Sequence, residues 1–362
     1  LSRGSVAVLQ MDNPNVADLS SIISQTGSDL GISIDSIESG FGPELLPDWG
    51  GRHFRLLERP QLAILGHSNF NSYDVGVSWW SLDHHLGIRH TQLNGSFTGY
   101  ADLRRYNVII MPSGYLEMSD YEISTINDWV KQGGTLIAHN RSSRFITSQE
   151  SLGSVKQLQD VLDQSKDYNF DLLREIYADE DDLNQESVLS NTLDLEIAYP
   201  WELNESNYSE EELKSRDKWQ SIFMPSGAFV AGRTDQKHVI TFGTPETLPL
   251  LYGNFPILMT DENAEAPIRI GELIDNPDIN EFRSINWSTL PAGKDIKVRM
   301  SGLIWPEAAQ RIANSAYLTR ERVGKGQIIL FAGEPNFRAS TRGTNRVWLN
   351  AIVYGPGLGT SP

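Results

Sequence analysis

Four short apolar runs constrain this 362-residue chain more than anything else in it. They are Leu62-Ala63-Ile64-Leu65-Gly66, Asn107-Val108-Ile109-Ile110-Met111, Thr135-Leu136-Ile137-Ala138 and Gln327-Ile328-Ile329-Leu330-Phe331-Ala332. Each lacks the polar alternation of a half-solvated strand. Strands apolar on both faces belong in a parallel sheet covered on both sides. Helical patterns lie between them. Tyr73 to Leu86 offers Val77, Trp80 and Leu82 for packing, and Asp120 to Lys131 carries Ile123, Ile126 and Val130 at helical spacing. Gly133-Gly134 caps the second helix, Arg89 to Leu93 can form a further strand, and Arg342 to Tyr354 reads as a closing helix. Strands alternating with helices over short connections predict a doubly wound, mainly parallel α/β sheet. The run at 327 should rejoin the sheet begun at Leu62.

The flanking segments are less regular. Residues 1–60 read as a β-α-β segment: a strand at Val6 to Leu9, a helix from Asn13-Pro14 carrying Val16, Leu19, Ile22 and Ile23, an extended Ile32-Ser33-Ile34, then a Gly/Pro-rich connection. Residues 61–362 form the main α/β domain. It carries an acidic insertion at about 150–220 and a β-rich part at about 221–305, with short strands expected at Ala228 to Ala231, His238 to Phe242 and Ile296 to Met300.

Composition excludes several chemistries. There is no cysteine, so disulfides, thiolate catalysis and cysteine-ligated zinc are out. A net charge of -17 argues against nucleic acid, whose binders need clustered Lys and Arg. No run approaches the length of a membrane span. The acidic runs Asp179 to Asp182 and Glu210 to Glu212 read as solvated faces rather than calcium sites. Residue 1 is Leu and no signal-peptide pattern follows it, so the chain reads as a fragment or a processed product, with any targeting signal upstream.

Asp128 to Asn140, DWVKQGGTLIAHN, is a helix end, a Gly-Gly turn and a strand running into a polar tip. It resembles the segment that delivers the nucleophilic cysteine in class I glutamine amidotransferase-like domains, with Asn140 near the nucleophile position. Further stretches extend the resemblance: Gly51 to Gly66 with Ser72-Tyr73-Asp74-Val75-Gly76, then Pro112-Ser113-Gly114-Tyr115, then Gly324 to Arg338 with Trp348-Leu349-Asn350-Ala351. Together they resemble the amidotransferase-like C-terminal region of some bacterial zinc carboxypeptidases. The resemblance implies a flavodoxin/amidotransferase-like sheet with an additional β-rich portion. It also implies a secreted or periplasmic parent protein, and zinc held in an upstream peptidase domain of the same polypeptide. None of the seven histidines has Glu three residues later, so the His-x-x-Glu zinc signature is not in this chain and no cofactor is expected here.

In open parallel sheets, ligands sit beyond the carboxyl ends of the strands. That rule collects His67, Ser113, Tyr115, His139, Asn140, Arg141, Glu334 and Arg338 as a candidate pocket. Ser113, His139 and Glu334 can be drawn as a hydrolytic triad, but no Gly-x-Ser-x-Gly elbow supports a strained serine. Arg141 and Arg338 suit a peptide carboxylate or another small anion. His84, His85 and His90 invite a metal, yet neighbours on a helix point about 100° apart and no partner completes the set. Gly324-Lys325-Gly326 precedes a strand and lacks the spacing of a phosphate loop; it reads as a tight turn. The nine tryptophans, Trp79 and Trp80 among them, read mostly as core. The leading expectation is a non-catalytic accessory domain that packs against the peptidase domain or helps recognise substrate. An independent hydrolase with a non-cysteine nucleophile and a small-molecule or sugar-binding module are the alternatives.

Overall fold

The computed structural model describes residues 6–37, 57–67, 69–99, 101–180 and 208–357. The chain divides into Leu1–Leu57 and Glu58–Pro362. In the first unit the described residues hold one helix, α1 (Leu19–Leu30), which ends at Gly31 in the left-handed conformation. The helix begins later than Asn13-Pro14 predicted, and neither expected strand forms: 6–9 and 32–34 pair with nothing described. Val6, Val8, Ile32 and Ile34 are exposed. An apolar run makes a strand only where a partner edge accepts its hydrogen bonds.

In the second unit the apolar runs form β1 (Leu62–Gly66), β3 (Val108–Met111), β4 (Thr135–His139) and β16 (Gly326–Phe331), with β2 (His90–Asn94) at the edge. They lie in the order β16-β4-β3-β1-β2, every pair parallel. This is the flavodoxin-like order, with its switch point between β1 and β3. Val108, Ile109, Ile110 and Met111 are fully buried, each contributing roughly 1.5–3 kcal/mol of apolar transfer. Helix α2 (Ser72–Trp80) follows β1 and continues as a π-helical turn to Leu86; Asn71 caps its start by accepting from the Tyr73 N–H. Helix α3 (Asp120–Lys131) opens on a Ser119/Glu122 capping box, as the sequence Ser-x-x-Glu requires. The Gly-Gly turn after it has two causes. Gly133 adopts φ 126°, and a Cβ on Gly134 would lie 2.5 Å from the Trp129 ring.

Past β16 the same sheet turns antiparallel. β15 (Ala316–Val323) pairs with β16 and with β9 (Ala264–Ile270); β6 (Ala228–Thr234) joins β9, β7 (Thr247–Tyr252) and β14 (Arg299–Ser301). The sheet has 12 strands among the described residues. It is parallel only in its five-stranded part, so "mainly parallel" describes the site-bearing half and not the whole. Residues 238–242, expected as a strand, form a 3-10 turn at Val239–Thr241. The middle segment, read as an acidic insertion, also contributes to the core. Leu152, Val155, Leu158, Val161 and Leu162 join the core, and α5 (Ser165–Glu180) buries Tyr168, Leu172 and Ile176. Residues 181–207 and most of the Gly/Pro-rich connection lie outside the described residues. Helix α6 (Glu210–Gln220) and helix α7 (Pro306–Ile312) are joined by the buried Arg311–Asp217 pair. Helix α8 (Arg342–Tyr354) closes the chain where the sequence placed it. No helix of the described residues is long and apolar enough to cross a membrane.

Candidate functional site

The carboxyl ends of the parallel strands carry the candidate residues. β4 ends at His139, and Asn140 turns the chain with φ 46° and ψ -109° into the short helix α4 (Arg141–Thr147). This is a strained strand-to-helix elbow, the backbone arrangement that presents a nucleophile in α/β hydrolases. Local sequence holds it in place. The Asn140 N–H donates to the Phe331 carbonyl at 3.0 Å, extending the ladder towards β16. The Ser142 hydroxyl donates to the Pro112 carbonyl, and the Ser143 hydroxyl to the Phe331 carbonyl at 2.8 Å. α4 is thereby pinned to the ends of both strands flanking β4. At the apex the side chain is a carboxamide, and its Nδ2 donates to Glu334 Oε1 at 3.2 Å.

Glu334 has a second partner that sequence reasoning missed. Asp74, in the first turn of α2, hydrogen-bonds the Glu334 carboxyl, and its own pKa is pushed up to about 8 by burial first, then by the Glu334 charge and that hydrogen bond. A helix N-terminus favours negative charge, so burial and the second carboxylate here outweigh the dipole. Asp74 Oδ2 is buried and takes no hydrogen bond from any N–H or hydroxyl donor. Burial and the neighbouring carboxylate favour its protonated form. The signal in the sequence was an acid three residues past the Asn71 helix cap, just beyond a strand tip.

His139 faces the other way. It is 1% exposed and packs edge-on against Phe331 and Trp348, with ring centroids at 5.7 and 5.9 Å. Its Nε2 has no hydrogen-bond partner, and burial pushes the imidazole down to about 3. A ring so placed stays neutral. Tyr317 and Trp348 each bury a polar atom without a partner, and burial and Glu334 raise the Tyr317 hydroxyl.

The remaining candidates separate. Ser113 is buried beyond β3, where its carbonyl accepts from the Asn71 N–H at 2.8 Å. No hydrogen bond links it to His139, and Glu334 is committed to Asn140 and Asp74, so the drawn triad does not assemble. Tyr115 is exposed, with the Arg141 guanidinium stacked 3.9 Å over its ring. His67 is an exposed residue at φ 61° past β1. Arg338, also left-handed at φ 47°, lies 5.1 Å over Phe337. The structure thus joins Asn140 with Glu334 and Arg141 with Tyr115. His84 and His85 both pack on Trp80, and no group of three or more His, Asp or Glu able to hold a metal occurs among the described residues.

No protein-family model matches the chain, and no curated protein does. Solved structures similar to it include a β-galactosidase from Bacillus circulans, at 12% identity and TM-score 0.39 over 82% of this chain and 31% of that one. They also include putative ThuA-like proteins from Bacteroides uniformis, at 11% identity and TM-score 0.38 over 90% of this chain and 99% of that one, and from Parabacteroides merdae, at 7% identity and TM-score 0.37. The chain spans about a third of the β-galactosidase. Similarity this loose assigns no activity, and nothing in the comparisons supports the zinc carboxypeptidase link.

Proposed function

We propose that this chain is a ligand-binding, amidotransferase-like domain that performs no acyl transfer of its own. The observation that carries the reading is Asn140 at the elbow. The backbone there supports a nucleophile, but the side chain is a neutral amide whose nitrogen is engaged with Glu334. An amide nitrogen has its lone pair delocalised and cannot attack a carbonyl as a thiolate does. Arg141 and Arg338 supply cations at the rim for a peptide carboxylate or similar anion. The test is an assay of the purified chain for glutaminase, esterase and carboxypeptidase turnover beside Asn140→Ala and Ser113→Ala. Turnover above background that either substitution removes would sink the reading.

The finer reading is an accessory domain of a secreted or periplasmic zinc carboxypeptidase, with the metal in an upstream peptidase domain that is its partner. Its support is the sequence resemblance alone. Reading the coding sequence upstream of residue 1 tests it; a neighbour without a His-x-x-Glu peptidase signature rejects it.

A second reading has its own observation. Asp74, its pKa pushed up to about 8, lies beside the Glu334 carboxyl, and two neighbouring carboxyls of which one is held protonated are the pairing used in general acid–base hydrolysis. It predicts a bell-shaped pH–rate profile that Asp74→Asn abolishes.

A further inference from the structure

A cavity of about 340 Å³ lies away from the strand tips, between α6, α7 and the strands β11 (Arg283–Ile285), β13 (Lys294–Lys297) and β14. None of the strand-tip residues lines it. Three arginines do: Arg216, Arg283 and Arg299. Arg283 is paired with Asp295, also in the wall. Arg216 stacks 4.2 Å over the Tyr208 ring, and its Nε is buried without a hydrogen-bond partner. Glu212, one turn back on α6, is engaged with the Ser209 cap. Arg299 forms no ion pair among the described residues. On a chain of net charge -17, this wall therefore holds an excess of positive charge.

Asn286 supplies the second observation. It sits at φ 53° in the turn between β11 and β12 (Ser288–Leu290), is 2% exposed, and lines the cavity. Both its Oδ1 and its Nδ2 lack hydrogen-bond partners. A buried amide left unpaired is costly, and one that offers a donor and an acceptor together matches a hydroxyl, which is both. Ile285, Ile296, Val298, Ala309 and Ala313 give the wall an apolar part beside the polar Ser284 and Gln310. A bare inorganic ion would gain nothing from that surface.

We infer that this cavity binds a small hydroxylated carboxylate of sugar-acid type, its carboxylate on Arg216 and Arg299, a hydroxyl on Asn286, and its carbon skeleton on the apolar wall. The inference is independent of the strand-tip reading. The experiment is calorimetric titration of the full chain with glucuronate, with glucose and with acetate. Glucuronate should bind saturably, and glucose or acetate at least about tenfold more weakly, since each lacks one half of the recognition. Arg299→Ala should weaken glucuronate about tenfold or more, the loss of a charge-assisted contact. Asn286→Gly, which keeps the left-handed turn, should do the same. Circular dichroism checks the fold of both, and Arg299→Ala carries the test if Asn286→Gly does not fold. Absence of saturable binding at about 10 mM glucuronate, equal binding of acetate, or binding unchanged in Arg299→Ala overturns the inference.

Discussion

Asp74 and Glu334, one just past the first strand of the sheet and the other just past its last, meet carboxyl to carboxyl, and burial with the Glu334 charge pushes the Asp74 pKa up to about 8. Asp74 therefore binds a proton in the folded chain well above the pH at which it does so unfolded. Between its ordinary value near 3.8 and about 8, the folded state holds more protons, so this group makes stability fall as pH rises through that window. Asp74→Asn keeps a neutral hydrogen-bonding group and removes the slope. It should raise Tm at pH 8 by about 2–4 °C and leave it little changed near pH 4. Thermal unfolding across pH 4–8 checks this; identical slopes for the two proteins would show that Asp74 does not hold a proton above its ordinary range.

His139 acts with the opposite sign. Its folded pKa of about 3 lies below the unfolded value of 6.5, so the unfolded chain takes up a proton that the folded chain refuses. Stability from this group is lost as pH falls from 6.5 towards 3. His139→Phe fills the slot between Phe331 and Trp348 and should flatten the acid limb between pH 4 and 6. Below pH 6.5 the His139→Phe profile should climb progressively above the parent as pH falls, while the Asp74→Asn profile converges on it.

The elbow separates two effects at one position. Asn140→Ala keeps the strained φ and ψ and loses the bond to Glu334, and should cost about 1–2 kcal/mol. Asn140→Gly loses the same bond but relieves the backbone, and should be the more stable of the two by about 1 kcal/mol. Chemical denaturation of both variants reads the order, and the reverse order would mean the turn is unstrained.

Arg311 and Asp217 form a buried two-bond pair at 2.7 and 3.1 Å between α7 and α6. Asp217→Ala strands the guanidinium and should cost about 3–5 kcal/mol. Replacing both together, Asp217→Leu with Arg311→Met, should recover most of that loss, because no uncompensated charge remains buried. Denaturant midpoints of the single and double variants measure the difference.

The Gly324-Lys325-Gly326 turn should respond to shape and not to charge. A Cβ on Gly326 would sit 2.1 Å from the Val130 carbonyl oxygen and 2.3 Å from that of Gly134, so Gly326→Ala should cost about 3 kcal/mol or more. Lys325 is exposed, and Lys325→Ala should stay within about 0.5 kcal/mol of the parent. A large effect at Lys325 would revive a ligand role for this turn.

The four apolar runs, the helices at 120–131 and 342–354 and the absence of a thiol were legible in the chain itself. Burial on both faces of a strand and helical periodicity are local properties, written in consecutive residues. The capping box at Ser119 and Glu122 is equally local. The contacts that make a site are not. Asp74 reaches Glu334, and Asn140 turns towards Glu334 instead of serving Ser113 or His139, because strand order brings particular loops together. The antiparallel half of the sheet and the Arg216, Asn286 and Arg299 cavity likewise arise from pairings between distant segments. Hydrophobic pattern determined which residues go inside. Which polar groups are carried in with them, and which meet there, was decided only when the sheet closed its order, since a buried charge takes its partner from tertiary neighbours and not from adjacent sequence.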